Sequence, residues 1–167
     1  KQIIMDLKNQ TQKRNIKFRA LKDDISDFRF VYGNLIYDHK DNPRIQEDRN
    51  EPTFTTCIKG TECQFTGLTD INGKEIYEGD IVRWGMHGGS LGHETWNRYA
   101  EVEINPDLQF RIIHYIHSET GEKRPTDNYI FHFGKFAYTE TKQFLEIIGN
   151  VFENPELLKT VSSKNKA

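Results

Sequence analysis

The chain has little sulfur, no excess charge of either sign and no long apolar run. Its two cysteines, Cys57 and Cys63, are too few for a secreted disulfide scaffold. Both fall within or beside β-like segments and read as small buried hydrophobes. A disulfide would fit poorly with the cytoplasmic location the sequence suggests. No apolar run approaches the ~18 residues of a membrane span, and the N-terminus carries no apolar signal region. No membrane partner is expected. Charge is nearly balanced, with 23 basic against 25 acidic side chains and a net charge of −2. Non-specific nucleic-acid binders are commonly strongly basic, so bulk charge argues against that role and leaves only a local patch. There are no internal repeats at solenoid periods.

What the chain does have is aromatic residues. Eleven Phe, seven Tyr and two Trp offset an apolar fraction of only 35%. Large rings bury much area per residue, so few of them can build a compact core. A length of 167 residues suits one domain or two small subdomains.

The densest local signal lies at residues 64–82. Asn72-Gly73 is a tight-hairpin dipeptide, because both residues tolerate positive φ. Glu78-Gly79-Asp80 forms a second turn, with Gly79 as its positive-φ residue. Lys74–Tyr77 is long enough for a short strand. Asp80-Ile81-Val82-Arg83-Trp84 fits a half-buried strand.

Taken whole, Gln64–Val82 resembles the signature of the YopX family, small proteins of phages and prophages. Two more segments carry the resemblance. Ile16-Lys17-Phe18-Arg19-Ala20 is similar to the family's N-terminal strand, and Ile148–Leu158, with Gly149-Asn150-Val151-Phe152-Glu153-Asn154-Pro155, to its C-terminal end. The three occur in the family's order and bracket residues 16–158. Leu21 stands where the family usually has an aromatic residue, a change of packing. The resemblance implies an SH3-like β-barrel and a mobile-element origin. It implies no reaction and no cofactor.

The rest of the chain reads as short strands between turns, which favours an all-β sandwich or barrel. Residues 27–32 and 35–37 flank Gly33-Asn34 as a hairpin. The charged run 38–52 reads as a long solvated loop, and 53–58 as a strand. Further strands are expected over 99–104, 108–116, 129–133 and 143–152. On the strand 108–116, Leu108, Phe110, Ile112, His114 and Ile116 would share one face. Residues 118–128 read as a polar loop. Asn154-Pro155 reads as an N-cap with Pro at the first helical position, opening a short C-terminal helix. The expected fold is therefore mainly β, an SH3-like barrel over 63–158 with an N-terminal β subdomain over 16–62. A polar arm at 1–15 and a polar tail at 159–167 flank them.

Chemistry-bearing motifs are sparse. The loop 85–96 holds four glycines after Trp84, but neither the Walker nor the dinucleotide spacing. It reads as a connection between two strands. His87, His93 and Glu94 lie in that loop without a fixed geometry, so no metal site is expected. His114 and His117 would point to opposite faces of a strand, and His132 sits between Phe131 and Phe133. Aromatic and basic residues interleave at Arg83-Trp84, at Trp96-Asn97-Arg98-Tyr99 and at Lys135–Tyr138. Small barrels bind single strands by stacking bases on exposed aromatics along a positive groove. Arg83, Trp84, Trp96, Arg98 and Tyr99 are the candidate binding residues on that pattern, against the alternative that Trp84 and Tyr99 are core.

Three functions remain in view. The first is a non-catalytic binding or assembly module with a protein or nucleic-acid partner, self-association through strand edges included. The second is a barrel for single-stranded nucleic acid. The third is a hydrolase or nuclease using carboxylates such as Asp80, Glu94 and Glu101. No catalytic residue is assigned.

Overall fold

A computed structural model describes residues 15–47, 50–85, 96–126, 129–136 and 141–159. His87, His93, Glu94, Ala137 and Tyr138 fall outside the described residues, as do most of the N-terminal arm and of the C-terminal tail. The fold is mainly β. Its strands are β1 (Phe18–Leu21), β2 (Phe30–Tyr37), β3 (Pro43–Gln46), β4 (Thr55–Thr56), β5 (Cys63–Thr69), β6 (Glu75–Tyr77), β7 (Asp80–Gly85), β8 (Trp96–Ile104), β9 (Leu108–His117), β10 (Lys123–Pro125), β11 (Ile130–His132) and β12 (Glu146–Asn150).

They form two antiparallel sheets. The first runs β4-β3-β2-β1-β5-β6. The second runs β10-β9-β8-β7-β12, with β11 also paired to β9. Neither order closes on itself among the described residues. Each sheet has its own core. Ala20, Val31, Ile45 and Cys57 fill the first. Ile76, Val82, Trp84, Ala100, Val102, Phe110, Ile112 and Leu145 fill the second, with Leu68 packed against it. Leu68 and Ile76 thus lie on strands of the first sheet and pack in the core of the second.

Both turns of the 64–82 segment form. Gly73 and Gly79 each have φ of 75°, and the Gly73 N–H donates to the Asp70 carbonyl at 3.0 Å. Asp70 fixes this turn from inside. Its Oδ1 accepts the N–H groups of Asn72 and Lys74, both at 2.9 Å, and its Oδ2 accepts that of Ile147 on β12 at 3.2 Å. Cys57 and Cys63 are free and buried, and burial pushes both thiols up to about 11.

Four expectations are corrected. β2 runs straight through Gly33-Asn34, with Gly33 beside Phe18 of β1 and Asn34 beside Gln46 of β3. A Cβ on Gly33 would sit 2.0 Å from the Gln46 carbonyl oxygen, so the glycine admits a close backbone approach and makes no turn. The turn lies later, at Asp38–Asn42, where Asp38 Oδ1 accepts the N–H groups of Lys40 and Asn42 at 2.8 and 3.0 Å. The run 38–52 therefore contains a strand, β3, and Ile45 on it is fully buried. Charged neighbours hid a four-residue alternation.

On β9 the register slips between Tyr99 and Ala100 of β8. Ala100 faces Ile112 and Tyr99 faces His114. Successive β8 residues point to opposite faces, so His114 leaves the face that holds Phe110 and Ile112. At the C-terminal end, Pro155–Leu158 is a single 3-10 turn. Asn154 makes no side-chain cap bond to it. Its Oδ1 accepts the Asn150 N–H instead, at 3.3 Å.

Candidate functional site

The three segments similar to the YopX signature meet at one place. Arg19 of β1 donates from Nη2 to Asp80 Oδ1 at 2.6 Å and to the Glu78 carbonyl at 3.4 Å. Asp80 Oδ2 accepts the Tyr77 N–H at 2.8 Å. The Arg19 guanidinium lies over the rings of Phe30 and Tyr77, 4.4 and 4.9 Å from their centroids. Gly79 donates to the Val102 carbonyl and accepts from the Val151 N–H, both at 2.9 Å. The Phe152 ring stands edge-on to Phe30 at 6.2 Å. Burial raises the Asp80 carboxyl above the ordinary carboxylate value, opposed by the Arg19 charge and the Tyr77 N–H. For Arg19, burial works against the charge, but Asp80 outweighs it and the pKa is raised. This junction ties the two sheets together. Its charged groups are buried against rings, where no ligand reaches them.

The carboxylates suggested for hydrolysis are dispersed. Ile81 faces Glu101 across the β7–β8 ladder, so Asp80, one residue away, points to the other side of the sheet. Glu101 is paired with Arg111, which also binds Glu103 at 2.6 Å. Burial raises the Glu101 carboxyl despite Arg111. Among the described residues, no three His, Cys, Asp or Glu side chains gather as a metal set.

Strand alternation splits the aromatic–basic candidates between the two faces of the second sheet. Arg83 and Tyr99 face each other on one side. Arg83 is bound to Glu146, and Tyr99 stacks on His114 with centroids 4.8 Å apart and planes at 22°. Burial pushes the His114 imidazole below its ordinary value, with the Lys123 charge adding to the effect. Trp84 and Arg98 face each other on the opposite side. Trp84 is 4% exposed and stands edge-on to Phe110 and Phe131, each at 5.7 Å. It is a core residue, not a stacking platform.

Trp96 differs. It starts β8, one residue beyond the last β7 pair, Gly85–Asn97, where the sheet outruns its core. The ring is half-buried. Arg124 of β10 lays its guanidinium 4.1 Å from the Trp96 centroid, and His117 meets the ring edge-on at 5.0 Å. His117 Nδ1 accepts the N–H groups of Glu119 and Thr120 at 3.3 and 3.2 Å. Arg124 Nε donates to Glu122 at 3.1 Å. The pairings Trp96–His117, Arg98–Tyr115 and Tyr115–Arg124 place all of these on one face. Sequence reasoning found Trp96 and Arg98 but missed His117 and Arg124. Arg124 sits on a three-residue strand whose side chains are all exposed, so no alternation marked it.

The family model described as YopX protein matches residues 17–159. No curated protein matches the chain. Among solved structures, the crystal structure of protein EF1440 from Enterococcus faecalis is 24% identical, over 86% of this chain and 98% of that one, with a TM-score of 0.46.

Proposed function

The chain belongs to the YopX family, and from that premise we propose that it is a non-catalytic binding module of a phage or prophage, acting in the cytoplasm. Its contact surface is the end of the second sheet that carries Trp96. One observation carries this reading: a cation, Arg124, is laid over an aromatic ring at the end of the second sheet, beyond the last β7 pair. Such a pair offers a partner both a flat apolar surface and a directed charge. The ion pairs that engage Asp80 and Glu101 speak against hydrolysis. Residues 63–158 are kept as an SH3-like unit in this proposal. In support, the Ile71 N–H donates to the Leu145 carbonyl at 2.8 Å, which brings the β5–β6 hairpin tip to the start of β12.

The test compares wild type with Trp96→Ala and Arg124→Ala in partner capture and in a nuclease assay with magnesium or manganese. Capture lost in both variants, with no cleavage, is the expected result. Cleavage abolished by Glu101→Gln would overturn the reading, as would capture indifferent to both substitutions.

A further inference from the structure

Resting on that binding role, we infer that the Trp96 surface takes a single-stranded nucleic acid, with a base stacked at Trp96 and backbone phosphates meeting Arg98 and Arg124. The three side chains share one face of the sheet. Arg98 is one alternation from Trp96 along β8, and Arg124 reaches Trp96 across β9. In a duplex the base faces are stacked on one another. Only an unpaired base can lie against a ring, and aromatic–base stacking tolerates any sequence.

Arg124 suits the phosphate role. Its planar guanidinium stacks on the indole, and a planar fork of donors matches phosphate oxygens. Its bond to Glu122 uses Nε, not the Nη edge. Both side chains of that pair are more than half exposed, so the pair is weakly held and a phosphate can compete with it. His117 adds a donor. Because Nδ1 accepts two backbone N–H groups, the neutral ring carries its proton on Nε2.

The balanced charge of the whole chain sets the expected character of binding. A polybasic protein loses affinity steeply with salt. Here two arginines meet phosphates, and each phosphate neutralised on a single strand contributes about −0.7 to the slope of log K against log salt. A slope of about −1.4 is expected, with stacking carrying the rest.

Fluorescence anisotropy with a labelled mixed-sequence 20-mer, as single-stranded DNA, single-stranded RNA and duplex DNA, tests this across a salt series. Single strands should bind more tightly than the duplex. Trp96→Ala should weaken binding about tenfold or more and Trp96→Phe much less, as stacking requires. Arg124→Ala should make the slope shallower by about 0.7. Far-UV circular dichroism and melting verify that each variant is folded. Absence of binding by wild type at low salt overturns the inference. So does a preference for duplex, or undiminished binding by folded Trp96→Ala. If wild type binds no nucleic acid yet captures a protein through Trp96, this inference fails and the binding role stands. If Trp96→Ala changes neither, both fail.

Discussion

Arg19 and Asp80, 61 residues apart in sequence, close an ion pair at 2.6 Å with side chains only 3% and 1% exposed. One comes from the first sheet and the other opens the second. Removing one partner leaves an uncompensated buried charge, which typically costs about 3–5 kcal/mol. Asp80→Ala and Arg19→Ala are each expected to lower stability by that amount in urea unfolding. The double substitution Arg19→Met with Asp80→Leu should recover much of the loss, since no charge is left stranded. A double variant as unstable as the sum of the singles would show that the two act independently.

Asp70 supports the Asn72-Gly73 turn through three backbone N–H bonds, one of which reaches β12. Asp70→Ala orphans these donors and is expected to cost about 3 kcal/mol, given the strength of hydrogen bonds to charged acceptors. Asp70→Asn keeps one oxygen for the turn and loses the two contacts made to Oδ2, from the Ile147 N–H and the Asn72 side-chain amide, so about half that cost is expected. Thermal melts of the two variants check the ordering.

Much of this architecture was legible in the sequence where backbone chemistry was local. Gly73 and Gly79 announced turns because their neighbours left no other role for positive φ. The strands β7, β8 and β9 announced themselves by β-branched and aromatic residues. The failures share one physical cause: the deciding contact was distant. Gly33 looked like a turn because the Gln46 carbonyl that needs its bare α-carbon lies in another strand. His114 was assigned to the Phe110 face because period two cannot show a register slip against β8. The same limit applies to the site. Trp96 and Arg98 were readable as an aromatic beside a cation. Arg124 and His117 became part of it only when β9 and β10 folded back.

Gly33→Ala tests that explanation. The new methyl carbon would meet backbone at 2.0 Å, and backbone cannot rotate aside. β3 must move off β2, taking Ile45 out of the first core. A loss of about 2–3 kcal/mol is expected, at the upper end of overpacking costs. Gly67→Ala is a useful contrast. Its φ is also positive, but nothing lies within 4 Å of a Cβ there, so only backbone strain of about 1 kcal/mol should appear.

His114 should make stability depend on pH. Its folded pKa lies below the ordinary value because burial disfavours the imidazolium and Lys123 adds repulsion, while Tyr99 covers its ring. The unfolded chain then binds a proton that the folded chain refuses. Stability is fully present above the unfolded pKa of about 6.5 and declines as pH falls below it toward the folded value. Urea midpoints should drop from about pH 7 to pH 5.5 in wild type. In His114→Gln that dependence should flatten. An equal slope in both proteins would place the titration elsewhere.

The two tryptophans separate stability from recognition. Trp84 is enclosed by Phe110 and Phe131, so Trp84→Ala should cost about 3–5 kcal/mol as a large core truncation. Trp96 lies beyond the last β7 pair and is half-buried, so Trp96→Ala should cost about 1 kcal/mol or less, in the range of substitutions outside a core. The same aromatic residue type, twelve positions apart, should thus give opposite phenotypes: Trp84→Ala unfolds early, and Trp96→Ala folds but loses its partner. Intrinsic fluorescence checks the premise directly. Acrylamide should quench the Trp84→Phe variant, which keeps Trp96, more readily than the Trp96→Phe variant, which keeps Trp84. The reverse ranking would mean that Trp96 is the shielded ring and that the stacking surface does not exist.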